Sequence, residues 1–245
     1  MNVAIIGCGL IGQKRAMSLG EHRLVAAVDI FMERAAAAAE AWPGASAGCR
    51  WRDAVTRPDV DIVIVATTND YLAPITLAAI EAGKHTLVEK PAARNARELE
   101  PVIAAAARSG VQVKVGFNLR HHPALRKAKE IVESGSIGPL MFIRGRYGHG
   151  GRVGYEREWR SDPKIAGGGE LLDQGIHLID LSRWFLGEFV HLDGFINTYY
   201  WNMPVEDNAF LLLKTSAGQV AWLHATCTEW KNLFSFEIYG REGKL

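Results

Sequence analysis

Three groups of residues in this chain have types and spacings that could do chemistry. The first is "GCGLIG", residues 7–12, a GxGxxG run directly after the apolar residues 3–6. At a strand-to-helix turn, Gly7 permits the tight bend, Gly9 lets a pyrophosphate approach the backbone, and Gly12 allows close helix-to-strand packing, while the helix amino terminus attracts negative charge. Asp29 closes the next apolar run, "RLVAAVD", at the distance where a carboxylate reaches an adenosine ribose hydroxyl. The second group is Glu89-Lys90-Pro91. A lysine at the mouth of a dinucleotide crevice can meet a substrate hydroxyl and favour the alkoxide over the alcohol. The plainer reading is a surface strand exit that Pro91 stops. The third is "GGGELLDQGIHLID", residues 167–180. On a helix advancing about 100° per residue, Asp173, His177, Asp180 and Trp184 share one stripe, with Asp173 one turn before His177. Leu171, Leu172, Ile176, Leu178, Ile179 and Leu181 cover most of the remaining surface. The polar stripe is then either a cavity wall or a solvated edge carrying an ordinary helical pair.

The elements that must position these groups follow from hydrophobic periodicity. Strands are expected at residues 3–6, 23–29, 61–68, 85–90 and 111–118. Between them fall helices ending at Gly20, at 31–41 with the alanine run 35–39, at 72–82, and from the Asn95/Glu98 capping pair to Ser109. Such alternation predicts an α/β fold with a parallel sheet wound on both faces and a ligand crevice outside the carboxyl ends of the strands. Those ends carry residues 7–12, Asp29, Thr67, Thr68, Asn69, Glu89, Lys90, Asn118 and Arg120. Thr67, Thr68 and Asn69 also suit a simple turn and cap.

Composition narrows the class. With 245 residues, 48% hydrophobic and 22% charged, the chain suits one large or two smaller globular domains, which excludes disordered and fibrous classes. A net charge of +1 supplies no field for nucleic acid or an anionic membrane. Cys8, Cys49 and Cys227 are widely spaced with no CxxC pair, so neither a disulfide framework nor a zinc cluster is indicated, and a reducing cytoplasm fits best. The start "MNVAIIGCG" lacks a basic region, which argues against a signal peptide, and no apolar run approaches membrane-spanning length.

Taken together, "GCGLIG", "EKP" at 89–91, "GFNLRHHP" at 116–123 and "GGGELLDQGIHLID" resemble the Gfo/Idh/MocA oxidoreductases, the glucose-fructose oxidoreductase and inositol dehydrogenase family, over nearly the whole chain. The resemblance implies an α/β Rossmann domain with a doubly wound parallel sheet over residues 1–120. It implies an α+β domain over 121–245 with a mostly antiparallel sheet that often serves oligomer contacts, hence a homodimer or homotetramer. The implied activity is an NAD(P)-dependent dehydrogenase or reductase acting on CH–OH groups. It would move a hydride between nicotinamide and a hydroxyl or keto carbon of a sugar, cyclitol or nucleotide sugar. Lys90, Asp173 and His177 match the family's catalytic lysine, aspartate and histidine. His177 is suited to take and return the hydroxyl proton because histidine titrates near neutrality; Asp173 would orient it or bind a neighbouring hydroxyl. Cofactor contacts fall to Gly7, Cys8, Gly9, Leu10, Ile11, Gly12, Asp29, Thr67, Thr68, Asn69, Glu89, Lys90, Asn118, Trp159 and Arg160. Substrate contacts fall to Lys90, Asn118, Arg120, Tyr147, Arg160, Asp173 and His177. Asp29 would repel a 2′-phosphate, so NAD is expected, with NADP as the alternative.

The chain departs from the family in two places. "TTNDYLAP" has Thr68 where the family has proline and Leu72 near the place of a histidine. "FSFEIYGREGKL" resembles a strand and turn that normally precede further elements, so the second sheet reads as incomplete at its C-terminal side. Between Met141 and Lys164, Arg144, Arg146, Arg152, Arg157, Arg160 and Lys164 outnumber Glu156, Glu158 and Asp162. They read either as a grip on an anionic substrate or as a loop paired with its own acids. His121 and His122 beside Pro123 suit a helix cap, while His149, His191 and His224 have no partners at metal-ligand spacing, so no metal is expected. Tyr199, Tyr200, Trp201, Trp222 and Trp230 are expected to pack on the sheet. Two other functions fit the same residues: a glycosidase using bound NAD for transient oxidation, and a dinucleotide-binding sensor or repressor without enzymatic activity.

Overall fold

The apolar runs of the first half become six parallel strands. They are β1 (Asn2–Ile6), β2 (Arg23–Val28), β3 (Ser46–Gly48), β4 (Ile62–Val65), β5 (His85–Val88) and β6 (Val113–Val115), in the order β3-β2-β1-β4-β5-β6. Residues buried on both faces of β1, β2 and β4 explain why these strands read as continuous apolar runs and not as alternating ones. Helices α1 (Leu10–Met17), α2 (Met32–Glu40), α3 (Trp51–Val55), α4 (Asn69–Glu81) and α5 (Ala96–Ser109) connect them. Apolar clusters lie on both faces of the sheet. Asn95 accepts from the Glu98 N–H at the start of α5, and Gly110 closes it in the left-handed conformation with φ +69°. The computed structural model describes Met1–Leu245 throughout, divided into units Met1–Gly116 and Phe117–Leu245.

The short β3 and α3 have no counterpart in the expected elements, since neither carries an apolar run long enough to show a period. Two strands end earlier than their apolar stretches. Beyond Val65 the chain turns into α4, and beyond Val115 it leaves the first unit. Asn118 and Arg120 therefore do not sit at the end of a Rossmann strand. They belong to a 3-10 turn, Asn118–His121, in the second unit.

The second unit continues with α6 (Pro123–Glu133), β7 (Leu140–Gly148), α7 (Pro163–Ala166), α8 (Ile176–Leu186), β8 (Phe189–Asn197), β9 (Asn208–Thr215), β10 (Val220–Thr226) and β11 (Leu233–Gly240). Pro123 opens α6, and His122 Nδ1 accepts from the Ala124 N–H as its cap. The five strands run β11-β7-β10-β9-β8, antiparallel except for the parallel pair β7 and β10. One face packs against α8 through Ile143, Leu211, Leu223 and Ile238 against Leu178 and Phe185. Gly145 on β7 brings the helix close, since a Cβ there would lie 3.2 Å from the Leu178 side chain.

Of the five aromatic residues expected to pack on the sheet, Trp222 alone is on a strand, and its side chain is on the open face. Tyr199, Tyr200 and Trp201 lie between β8 and β9, and Trp230 between β10 and β11. The buried Asp207 carboxylate gathers the N–H groups of Tyr199, Tyr200 and Trp201 at 2.9, 2.7 and 3.0 Å, which bends that segment into a turn in place of a strand.

Candidate active site

In the first unit, the sheet order reverses at β1, between β2 and β4, where an open α/β sheet forms its crevice. Gly7 there has φ +91°, and a Cβ on it would lie 2.4 Å from the Ala66 carbonyl oxygen. A Cβ on Gly12 would lie 1.9 Å from the Gly7 oxygen, so only glycine lets α1 begin against this turn. Gly9 differs: a Cβ there meets nothing within 4 Å. Its backbone faces open space at a helix amino terminus, the cradle a pyrophosphate requires. Cys8 is fully buried; its N–H donates to Asp29 Oδ2 at 2.8 Å and its thiol to the Val28 oxygen at 3.4 Å. Burial first, and then Asp29, push that thiol up to about 12, so it contributes its backbone and no reactive sulfur.

Asp29 is 8% exposed, and its second oxygen accepts from the Phe31 N–H at 3.0 Å. Leu10 and Ile11 point outward at the start of α1, and Ile30 is exposed beside Asp29. Thr68 donates to Asp70 at 2.6 Å and Thr67 to the Thr68 oxygen at 3.2 Å; with buried Asn69 they form the turn into α4. At the end of β5, Glu89 receives the Arg15 guanidinium, with Nε at 2.7 Å from Oε1. The pair ties α1 to the strand end that carries Lys90, which is followed by a cis bond to Pro91.

The second unit gathers another set. Residues Leu171–Gly175 form a π-helical turn that runs directly into α8, which corrects the expectation of one continuous α-helical stripe. A π turn advances each residue by less than 100°, so Asp173 and His177 are not stacked as an ordinary i, i+4 pair; such turns concentrate at functional sites. Gly175 allows it, because a Cβ there would lie 3.3 Å from that of Ala225 on β10. His177 is 5% exposed, with Phe117 edge-on and Tyr147 tilted, each 5.9 Å away between ring centres. Asp173 Oδ2 lies 3.4 Å from Arg160 Nε, and that guanidinium lies over the Trp159 ring at 4.4 Å. The Tyr147 hydroxyl is shifted up by burial first, then by Asp173 and Glu170. Tyr147, Trp159, Arg160, Asp173 and His177 thus come together. Asn118 is exposed on its 3-10 turn. Arg120 instead forms a two-pronged pair with Asp180, at 2.8 and 2.6 Å, so its fork is already filled.

Family models match both units: residues 1–117 match the oxidoreductase family with an NAD-binding Rossmann fold, and 125–245 the Gfo/Idh/MocA C-terminal domain. The chain belongs to the Gfo/Idh/MocA family. It is therefore an NAD-binding oxidoreductase by descent and fold. Levoglucosan dehydrogenase of Pseudarthrobacter phenanthrenivorans is 29% identical, over all of this chain and 73% of that protein. Inositol 2-dehydrogenase of Gluconacetobacter diazotrophicus is 35% identical over 78% of this chain, which spans 56% of that relative. A solved levoglucosan dehydrogenase in complex with NADH and L-sorbose superposes with a TM-score of 0.93 at 29% identity, covering all of this chain and 72% of that one.

Around Asp173 and His177 stand residues that spacing did not reveal. Glu206, before β9, accepts through its carboxylate from the N–H groups of Gly169 and Leu171 at 3.0 and 3.1 Å, and through its carbonyl from that of Glu170 at 3.0 Å. The clamp holds the entry to the π turn, and Gly169 is required because a Cβ would lie 2.0 Å from the Glu206 oxygen. His149, expected to have no partner at metal-ligand spacing, lies 3.5 Å from Glu170, and ligand atoms of His149, Glu170 and Asp173 fall within 4.8 Å of one another. A cation could span that distance, but His149 Nδ1 accepts from the Gly151 N–H at 3.0 Å. The neutral ring then carries its proton on Nε2, which faces Glu170 as a donor and not as a metal ligand. Long-range pairing of this kind leaves no local signal in the sequence. In the basic segment, Arg152 pairs with Glu158 and Arg157 with Glu156, which favours the self-paired reading over an anion grip.

Proposed function

We propose that this protein oxidises a hydroxyl carbon of a sugar or cyclitol, or reduces the corresponding ketone, with NAD as cofactor. The observation that carries the reading is Asp173 on a π turn that runs directly into α8 and its buried His177, in a chain whose first unit has the open glycine cradle. When bound, NAD supplies the hydride acceptor. Gly9 and the start of α1 hold its pyrophosphate, and the Asp29 carboxylate, fixed by two backbone N–H groups, receives the ribose hydroxyls and disfavours a 2′-phosphate. His177 takes the hydroxyl proton, Asp173 and Arg160 orient the substrate's neighbouring hydroxyls, and the charge of Lys90 favours the alkoxide. Phe117 and Tyr147 keep water from the imidazole. Neutral polyols are favoured over nucleotide sugars because most cations near Arg160 are paired with acids of their own loop.

The partners we propose are this small molecule and further copies of the same chain. The open sheet face carries Phe142, Phe195, Leu212 and Trp222, an apolar surface suited to self-association. The three unpaired thiols suit a reducing compartment such as the cytoplasm, and no helix is long and apolar enough to cross a membrane. The test is a panel of cyclitols, aldoses, anhydrosugars and nucleotide sugars followed by nicotinamide absorbance, with NAD and NADP compared. Turnover of a neutral polyol with NAD is expected. Tighter NADP binding would overturn the role of Asp29, and glycoside cleavage without net NADH would select the glycosidase alternative.

A further inference from the structure

Glu170 is 2% exposed, in a protein whose other largest fully buried side chains are all apolar. Its Oε1 accepts from the Tyr155 hydroxyl at 3.0 Å and faces His149 Nε2 at 3.5 Å. The buried Cys227 thiol, which donates to the Asp207 carbonyl at 3.9 Å, is held protonated by burial first and by Glu170 in addition. Oε2 is buried with no hydrogen bond. These neighbours come from separate segments: Tyr155 from the loop after β7, His149 from the end of β7, Cys227 from the end of β10, and Asp173 from the turn Glu170 itself begins, while the Glu206 carboxylate is held by the flanking Gly169 and Leu171 N–H groups. None of them carries a fixed positive charge, and Arg160 lies beyond Asp173. A buried carboxylate is costly to keep where an amide of the same shape would fill the space, and one that persists beside a reaction centre acts on it through charge.

We propose that Glu170 is a positioning residue that acts electrostatically: its buried carboxylate, within 4.8 Å of Asp173, strengthens Asp173 and His177 as proton acceptors. The inference rests on the assignment of those two residues above. The effect has a definite sign, because a negative charge nearby stabilises a protonated imidazole or carboxyl over its deprotonated form. The buried neighbours respond in the same sense: the Tyr155 and Tyr147 hydroxyls and the Cys227 thiol are all held protonated to higher pH, by burial first and by Glu170 in addition. His149, whose side chain is 23% exposed, faces the carboxylate through Nε2 at 3.5 Å.

The experiment is Glu170→Gln, which keeps the shape and the acceptor for Tyr155 while removing the charge. In the oxidation direction the unprotonated base is required, so the acid limb of kcat/KM should move to lower pH by about 0.5–1.5 units, with lower kcat on the plateau and unchanged NAD affinity. A limb that stays in place overturns the proposal. Titration of the His177 imidazole by NMR gives a second reading that needs no turnover. It should fall by the same amount in the variant. If the Gln variant does not fold, the same titration is made in Glu170→Met, where an imidazole that titrates as in the wild type overturns the proposal. If the wild type turns over nothing in the substrate panel, the proposed activity fails, while the titration still decides the role of Glu170.

Discussion

Replacing His177 with alanine should lower kcat by about 10²–10⁴ and leave NAD affinity near normal, because the imidazole belongs to one unit and the glycine cradle with Asp29 to the other. Lys90→Met should behave similarly, since it removes charge with little loss of volume. The double variant should lose less than the product of the two single losses, as groups serving one proton transfer are not independent. Pre-steady-state rates on a substrate found in the panel check all three, and near-normal turnover in both single variants would leave only a dinucleotide-binding protein. At this scale the sequence was informative where a residue's role is local. The glycine turn and the placement of Asp29 against it were legible because both depend on spacing along the chain. Arg120 misled because its partner, Asp180, lies 60 residues away.

At the scale of elements, two glycines of one motif should respond in opposite ways. Gly12→Ala should destabilise the first unit, because its Cβ would collide with the Gly7 carbonyl, whereas Gly9→Ala should keep the melting temperature and weaken NAD binding by tenfold or more. Thermal melts with and without NAD separate the outcomes; equal behaviour of the two variants would remove the distinction. Asp207 supplies a pH test. Its carboxyl is buried, yet hydrogen bonds from Asn208 and from the N–H groups of Trp201, Tyr199 and Tyr200 outweigh the burial and hold it below the usual carboxylate range. A carboxylate with a lowered folded-state pKa contributes stability above its unfolded value near 3.9, and that contribution disappears as pH falls through the folded value. Asp207→Asn should therefore cost about 1–3 kcal/mol at neutral pH and progressively less below about pH 4, as measured by denaturant melts across pH. Element type and order were readable wherever an apolar period ran long enough, as in β1, α4 and α5. The π turn was not, because its sequence fits an α-helix equally well and the carboxylate that clamps its start arrives from Glu206.

At the scale of the molecule, Phe195 on β8 lies opposite Phe210 on β9, itself stacked on His224, and Phe142 stacks on Tyr239, so the open face of the second sheet presents ordered aromatic rings to solvent. Sedimentation of the wild-type chain should show a dimer or tetramer, and Trp222→Lys with Phe195→Lys should shift it toward monomer; a wild type that sediments as a monomer at all concentrations removes this partner. The family resemblance pointed to this sheet as a place for oligomer contacts, but spacing did not single out the residues of the face, because they alternate with core residues along each strand in the pattern of any half-buried sheet. The adjacent carboxylates of Glu206 and Asp207 bind two segments at once, residues 169–171 by one and 199–201 by the other. Neither segment can come loose without straining the anchor of the other. Their amides should therefore exchange with deuterium as one cooperative unit, with a single opening free energy shared by the aromatic turn and the start of the π turn.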